Sequence, residues 1–184
     1  MQSNQTTYRV AVAALCCAGI AVGSYISIPA GPVPFTLQTL FVLLTGLLLT
    51  PAWAAGAVAA YLLLGSVGLP VFAAGSGGFG SLLGPTGGYL WGFLPAAASV
   101  SFIRQFSARF LPNRAVWSDV VACLDGTLII YAAGIIQLSL VTGMTVGASI
   151  SAGMLPFLIG DAIKLTAAVG ATAVIRPLLA RREV

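Results

Sequence analysis

Apolar residues fill nearly every stretch of this chain, so its pattern is set by where polarity, Pro and Gly interrupt them. Runs bounded by Pro, Gly or Arg predict six helices, over about 8–28, 36–49, 52–68, 86–108, 116–142 and 155–179. The second is short for the ~20 residues that cross a bilayer. It is followed by Thr50-Pro51, where Thr can cap and Pro can occupy the first helical turn, so helices two and three are predicted to form a tight hairpin.

The charges test this count independently. Arg9 precedes helix one, Arg104, Arg109 and Arg114 lie between helices four and five, and Arg176, Arg181 and Arg182 end helix six. Six crossings place all seven on one face, which the positive-inside rule makes cytoplasmic, together with both termini. The connections of the opposite face, 29–35, 69–85 and 143–154, carry no charge of either sign.

Composition sets the solvent. The chain is 59% hydrophobic and 7% charged, against the roughly 25% charged residues of a soluble domain, and its mean hydropathy is +1.03. The expectation is an all-α membrane protein, one integral membrane domain over 1–184, built as a six-helix bundle in the cell membrane. Its first run exceeds the 7 to 15 apolar residues of a signal-peptide core and is read as a retained span. The net charge of +4 does not point to nucleic acid, since the basic residues neither cluster on a face nor alternate with aromatics. Cys16, Cys17 and Cys123 form no C-x-x-C and read as small packing residues, with no metal site. Histidine is absent, which removes His-dependent triads, His-ligated zinc and His proton relays.

One cation is out of place. Lys164 lies inside the last run, three residues after Asp161 and on the same helical face. Both sit roughly 8 to 12 Å below the outer boundary at ~1.5 Å per residue. A charge there costs on the order of 2.5 to 3.5 kcal/mol even on the lenient insertion scale. Mutual neutralisation alone stabilises less than apolar packing of the same volume, so the pair is expected to line a cavity open to the outer face. Thr36, Gln38 and Thr39 lie at the same depth on helix two, where the Gln38 amide can serve either a ligand or an interhelical hydrogen bond. Asp125, nearer the cytoplasmic side of helix five, can pair with a loop arginine or touch a ligand; Tyr131 shares that helix.

The stretch GSGGFGSLLGPTGGYLWGF (75–93) opens with the spacing G-x-G-x-x-G. A dinucleotide turn needs a preceding strand and an acidic residue roughly 20 positions on; here a membrane run precedes and the next acid is Asp119. No phosphate-loop motif G-x-x-x-x-G-K-[ST] occurs, so the chain is not itself an ATPase. The Gly-rich loop is expected to form a lid over the cavity, with Gly75, Gly77, Gly78, Gly80, Gly84, Pro85, Thr86, Gly87 and Gly88 giving tight turns and free N–H groups, and the large apolar groups Phe72, Phe79, Leu82, Leu83, Tyr89 and Trp91 covering a ligand. Gly84 and Gly88 also satisfy G-x-x-x-G, which would make this segment a helix contact instead.

Four segments together, SIPAGPVPFTLQTL (27–40), LPVFAAGSGGFG (69–80), LGPTGGYLWGF (83–93) and GDAIKL (160–165), resemble the BioY family, the biotin-capturing S components of energy-coupling factor (ECF) transporters. The resemblance covers nearly the whole chain. It implies the six-helix S-component fold, high-affinity biotin uptake, no covalently bound cofactor, and partnership with a membrane coupling protein and two cytoplasmic ATPases that use ATP. It also implies contact with the coupling protein through A-x-x-x-A on helix one, matched by Ala14 and Ala18. Biotin's ureido ring could accept from Lys164 and donate to Asp161, leaving its carboxylate to Gln38, Ser76 or loop N–H groups; the reverse pose sets Lys164 on the carboxylate. A self-sufficient proton-coupled carrier using Asp161 or Asp125 is the alternative function. A membrane enzyme is disfavoured, because no nucleophile and base arrangement is evident.

Overall fold

Proline placement decides where the first two helices end. The computed structural model describes residues 2–29, 31–110 and 115–180, so Arg114, Arg181 and Arg182 lie outside the described residues, as does the side chain of Arg109. Helix α1 (Gln2–Tyr25) stops short of the predicted boundary at 28. Pro29, Pro32 and Pro34 cannot continue a helix, and the chain instead reverses as a small antiparallel hairpin. Its strands are β1 (Ser27–Ile28) and β2 (Phe35–Thr36), with Ser27 opposite Thr36 and Ile28 opposite Phe35. Leu37 N–H then bonds Gly23 O at 3.0 Å, tying the hairpin to the end of α1.

Helix α2 (Gln38–Leu48) has 11 residues, a length of ~16 Å, and α3 (Pro51–Ser66) follows at once. Thr50 does occupy the N-cap position with Pro51 in the first turn, but its hydroxyl makes no capping bond. The end of α2 is closed from outside instead. Ser101 Oγ donates to Leu49 O and Arg104 Nη1 to Leu47 O, each at 2.5 Å, satisfying carbonyls that a helix terminus leaves unpaired.

The two longer uncharged connections are more regular than the sequence predicted. Residues 69–85 hold a 3-10 turn (Ala73–Gly75) and helix α4 (Phe79–Leu83). Residues 143–154 hold helix α7 (Val146–Gly153), whose N-cap Thr145 accepts from Ala148 N–H at 3.3 Å. Helices α5 (Gly87–Phe110) and α6 (Ala115–Thr142) follow the predicted runs, and α8 (Leu158–Ala180) starts after a 3-10 turn at Leu155–Phe157. The most extensive helix contact is α5 on α6. It depends on Gly88, where an added Cβ would strike Ala133 O and the Gln137 side chain.

By length and composition, three segments are long and apolar enough to cross a membrane: Gln5–Tyr25, Ala115–Thr142 and Val146–Leu178. Large apolar side chains such as Leu15, Leu63, Phe102, Leu128, Ile163 and Val174 stand exposed on the outside of the bundle, the surface that lipid would cover.

Candidate functional site

Polar groups buried near one end of the bundle surround a single cavity. Its walls come from the β2 hairpin, the first turn of α2, the 72–76 turn, the start of α5, the middle of α6 and the first turns of α8. The Phe35 ring of β2 lies over Gly160 of α8, and the 3-10 turn before α8 brings Phe157 against Phe35, their rings stacked at 6.0 Å.

Asp161 and Lys164 both line this cavity, and they also pair: Lys164 Nζ donates to Asp161 Oδ1 at 2.7 Å. Neither charge rests on the other alone. Tyr131 Oη of α6 donates to Asp161 Oδ2, and Lys164 Nζ donates to Thr39 Oγ1 of α2 at 3.1 Å. The ammonium also lies 3.7 Å from the centre of the Phe35 ring, an attractive arrangement for a desolvated cation. Lys164 is 5% exposed, so these contacts replace its lost hydration. Asp161 retains lone pairs beyond the two bonds it accepts, and they face a cavity.

Gln38 lines the cavity too, but its amide is partly committed. Its Nε2 donates to Tyr61 Oη of α3, and its Oε1 accepts from Thr36 Oγ1 at 3.0 Å. Tyr61 Oη donates onward to Val71 O at 3.0 Å. Both roles weighed for Gln38 are therefore present: it borders the cavity and bonds a neighbouring helix. One amide N–H and one carbonyl lone pair remain free for a ligand.

The Gly-rich stretch divides into three parts. Gly75 and Gly78 take φ of 72° and 89°, values that glycine adopts without strain, and the turn they bracket carries Ser76 over the cavity mouth, where its hydroxyl donates to Ala73 O at 2.8 Å. Gly77 is packed against Leu69 O. Phe72 folds under this turn, edge-on to Tyr61 at 5.5 Å, and lines the cavity. Phe79 does not: it is 58% exposed, stands outside the cavity wall, and with Gly80 belongs to α4. Gly84, Pro85 and Thr86 form the link to α5, of which Thr86 reaches the cavity. Gly87 and Gly88 are buried first-turn residues of α5, not loop; lacking side chains, they sit directly on Gln137 and Ala133 of α6. Tyr89 is also on α5, lines the cavity, and donates to Gly153 O of α7 at 2.8 Å.

Sequence reasoning missed Gln137 as an anchor of this region and expected Trp91 to cover a ligand, where it too serves as an anchor. Gln137 Nε2 donates to Leu82 O at 2.8 Å and Gly84 O at 2.9 Å, and Trp91 Nε1 donates to Leu82 O at 3.1 Å. Only the polar residue at 137 in an apolar run gave a hint. Asp125 takes neither predicted role: it accepts from Ser99 Oγ at 2.6 Å and is not part of the cavity wall. At the far end of the bundle Asp119 pairs with Arg176 at 2.9 Å and with Arg104 at 3.7 Å. Ala14 and Ala18 are exposed on α1, on either side of the exposed Leu15.

Residues 1–181 match the model of the BioY family. A "Biotin transporter BioY" of Thermotoga maritima is 43% identical over 149 residues, covering 81% of this chain and 84% of that protein. A "Probable biotin transporter BioY" of Pyrococcus horikoshii is 38% identical over 161 residues, covering 88% and 91%. The fold matches the crystal structure of the S-component for biotin from an ECF-type ABC transporter with a TM-score of 0.88 and 30% identity, over 96% of this chain and 95% of that one. This chain belongs to the BioY family.

Proposed function

We propose that the chain captures biotin in the cavity around Asp161 and Lys164 and serves as the substrate-specific component of an ATP-driven ECF-type vitamin transporter. The observation that carries this is the buried Asp161–Lys164 pair with unused hydrogen-bonding capacity facing a cavity lined by Phe35, Phe72, Phe93 and Phe157. Biotin offers the complement: a planar ureido group with two donors and one acceptor, an apolar bicyclic body and a carboxylate. In the favoured pose Asp161 accepts ureido N–H groups and Lys164 donates to the ureido oxygen, replacing part of its contact with Thr39. The free N–H of Gln38, backbone N–H groups of the 75–86 stretch and Ser76, once its hydroxyl turns from Ala73 O, then meet the carboxylate, and that stretch, with Tyr89 beside it, closes over the ligand. Phe79, outside the cavity wall, joins only if the loop shifts.

Release needs partners. The exposed Ala14 and Ala18 offer a small-residue seam on which a coupling membrane protein can approach α1 closely, and two cytoplasmic ATPases supply the hydrolysis. Arg9, Arg104 and Arg176 gather at the end opposite the cavity, so by the positive-inside rule that end and both termini face the cytoplasm and the cavity opens outward.

Biotin titration of the detergent-solubilised protein tests the site. Lys164→Ala and Asp161→Ala should each weaken binding by roughly 10- to 150-fold, the range of a hydrogen bond to a charged group, while circular dichroism stays helical. Unchanged affinity in both variants would overturn the assignment. Biotin amide separates the poses: a large loss places the carboxylate on Lys164, a small one places the ureido group there. Uptake by vesicles holding this chain alone, driven by a proton gradient, would instead make it a self-sufficient carrier.

A further inference from the structure

A second recess lies at the opposite end of the bundle, between α1, the α2–α3 turn, α5 and α8. Arg9, Arg104 and Arg176 line it, and none of its described lining residues is acidic. The nearby Asp119 offsets one of these charges: it takes both its bonds from Arg176 Nη2, at 2.9 and 3.1 Å, while Arg104 Nε stands 3.7 Å away. Three guanidinium groups against one carboxylate leave an excess of two positive charges.

Unused donors accompany the excess. Tyr8 Oη, Arg104 Nε and Arg176 Nε are buried with no hydrogen-bond partner among the described residues, and all three residues line the recess. Buried polar atoms without protein partners are rare and costly, and point to a ligand or a water that completes them. The α3 N-terminus opens here as well: Thr50 and Trp53 belong to the wall, and the unpaired N–H groups of a helix start favour an anion. Val12, Leu48 and Trp53 give the same recess an apolar side.

We propose that this recess binds a phosphate group, the anion whose several oxygens match a fork of arginine donors and a tyrosine hydroxyl. The apolar side next to the charges fits the glycerol and upper acyl region of an anionic phospholipid, so the membrane is the expected source over free phosphate. The site is independent of the biotin cavity at the other end of the same helices.

The test uses the detergent-solubilised full chain, titrated separately with short-chain phosphatidylglycerol, short-chain phosphatidylcholine and inorganic phosphate, read by native mass spectrometry and by the fluorescence of the tryptophans, one of which, Trp53, lines the recess. Phosphatidylglycerol is expected to saturate one site at a concentration at least roughly tenfold below phosphatidylcholine. Tyr8→Phe and Arg9→Gln should each weaken that binding by roughly tenfold, the scale of one hydrogen bond to a charged group. Tyr8 Oη has no partner to lose and Arg9 is exposed, so both variants should keep the parent's biotin affinity, which certifies the fold. Saturation by inorganic phosphate, with displacement of the lipid, would support the site with a soluble source. Equal binding of the two lipids, unaffected by both substitutions and by phosphate, would overturn it.

Discussion

The bundle buries two charged clusters, and they are built in opposite ways. At the cavity end, Asp161 and Lys164 sit three residues apart on one helix, and the groups that complete them, Tyr131, Thr39 and the Phe35 ring, come from other elements. At the arginine end, Asp119 of α6 is bridged to Arg104 of α5 and Arg176 of α8, and Arg104 also reaches the α2 terminus. A pair within one helix forms whether or not the bundle closes, so its attraction does little to hold helices together. A bridge between three helices exists only when all three are in place. The first arrangement keeps both charges available to a ligand; the second spends its one carboxylate on assembly and leaves only positive charge over for the recess beside it.

The largest effect that separates the two should come from removing the acid at the arginine end. Asp119→Ala leaves Arg104 and Arg176 without their shared counter-charge, worth about 3 kcal/mol, the low end for a buried pair because their side chains are 20% and 31% exposed. We expect a large drop in thermal stability in detergent, with biotin affinity of the remaining folded protein close to that of the parent. A stable variant with impaired binding would reverse the roles assigned to the clusters.

The same contrast explains how much could be read from sequence. The Asp161–Lys164 pair was legible because helical spacing alone brings residues three apart together. Arginine placement likewise foretold that Arg9, Arg104 and Arg176 would share one end. The partner of Asp119 was not legible, since 57 residues separate it from Arg176 and no local rule spans that distance. Phe35 over Lys164, Tyr61 behind Gln38 and Gln137 under the 82–84 link depend on tertiary contact in the same way. Gly87 and Gly88 were assigned to the lid for another reason, and the G-x-x-x-G alternative was the one that fits Gly88: glycine serves both turns and close helix packing, and only the neighbour across the interface, here Ala133 and Gln137, decides which. Helices α4 and α7 escaped because an uncharged run flanked by Gly reads equally well as a loop.

At the cavity end, Tyr131→Phe should produce an intermediate effect with the opposite signature. Asp161 would lose the donor that fixes Oδ2 and keep Lys164 on Oδ1. Leaving a buried acceptor unpaired costs about 1 to 3 kcal/mol. If Tyr131 orients Asp161 for the ligand, the loss falls mainly on biotin affinity, by roughly 5- to 150-fold over that range. A loss confined to thermal stability would make Tyr131 a structural tie like Arg176, and the distinction between the clusters would fail.

The smallest effect tests whether Lys164 is truly shared between protein and ligand. Thr39→Val removes the hydroxyl that accepts from Nζ at 3.1 Å while keeping the branched shape, though not the polarity, of the side chain. In the free protein this takes away one acceptor of a charged donor, worth about 1.5 kcal/mol at the low end of such bonds, since the ammonium keeps Asp161 and the Phe35 ring. If the ligand oxygen takes over from Thr39 on binding, the free state is penalised and the complex is not. Biotin should then bind the variant as tightly as the parent or up to roughly tenfold more tightly, with a small fall in the stability of the ligand-free protein. Weaker binding in Thr39→Val would mean that Thr39 stays on Lys164 in the complex and steadies it there, leaving the ligand to Asp161 and the free lone pairs around it.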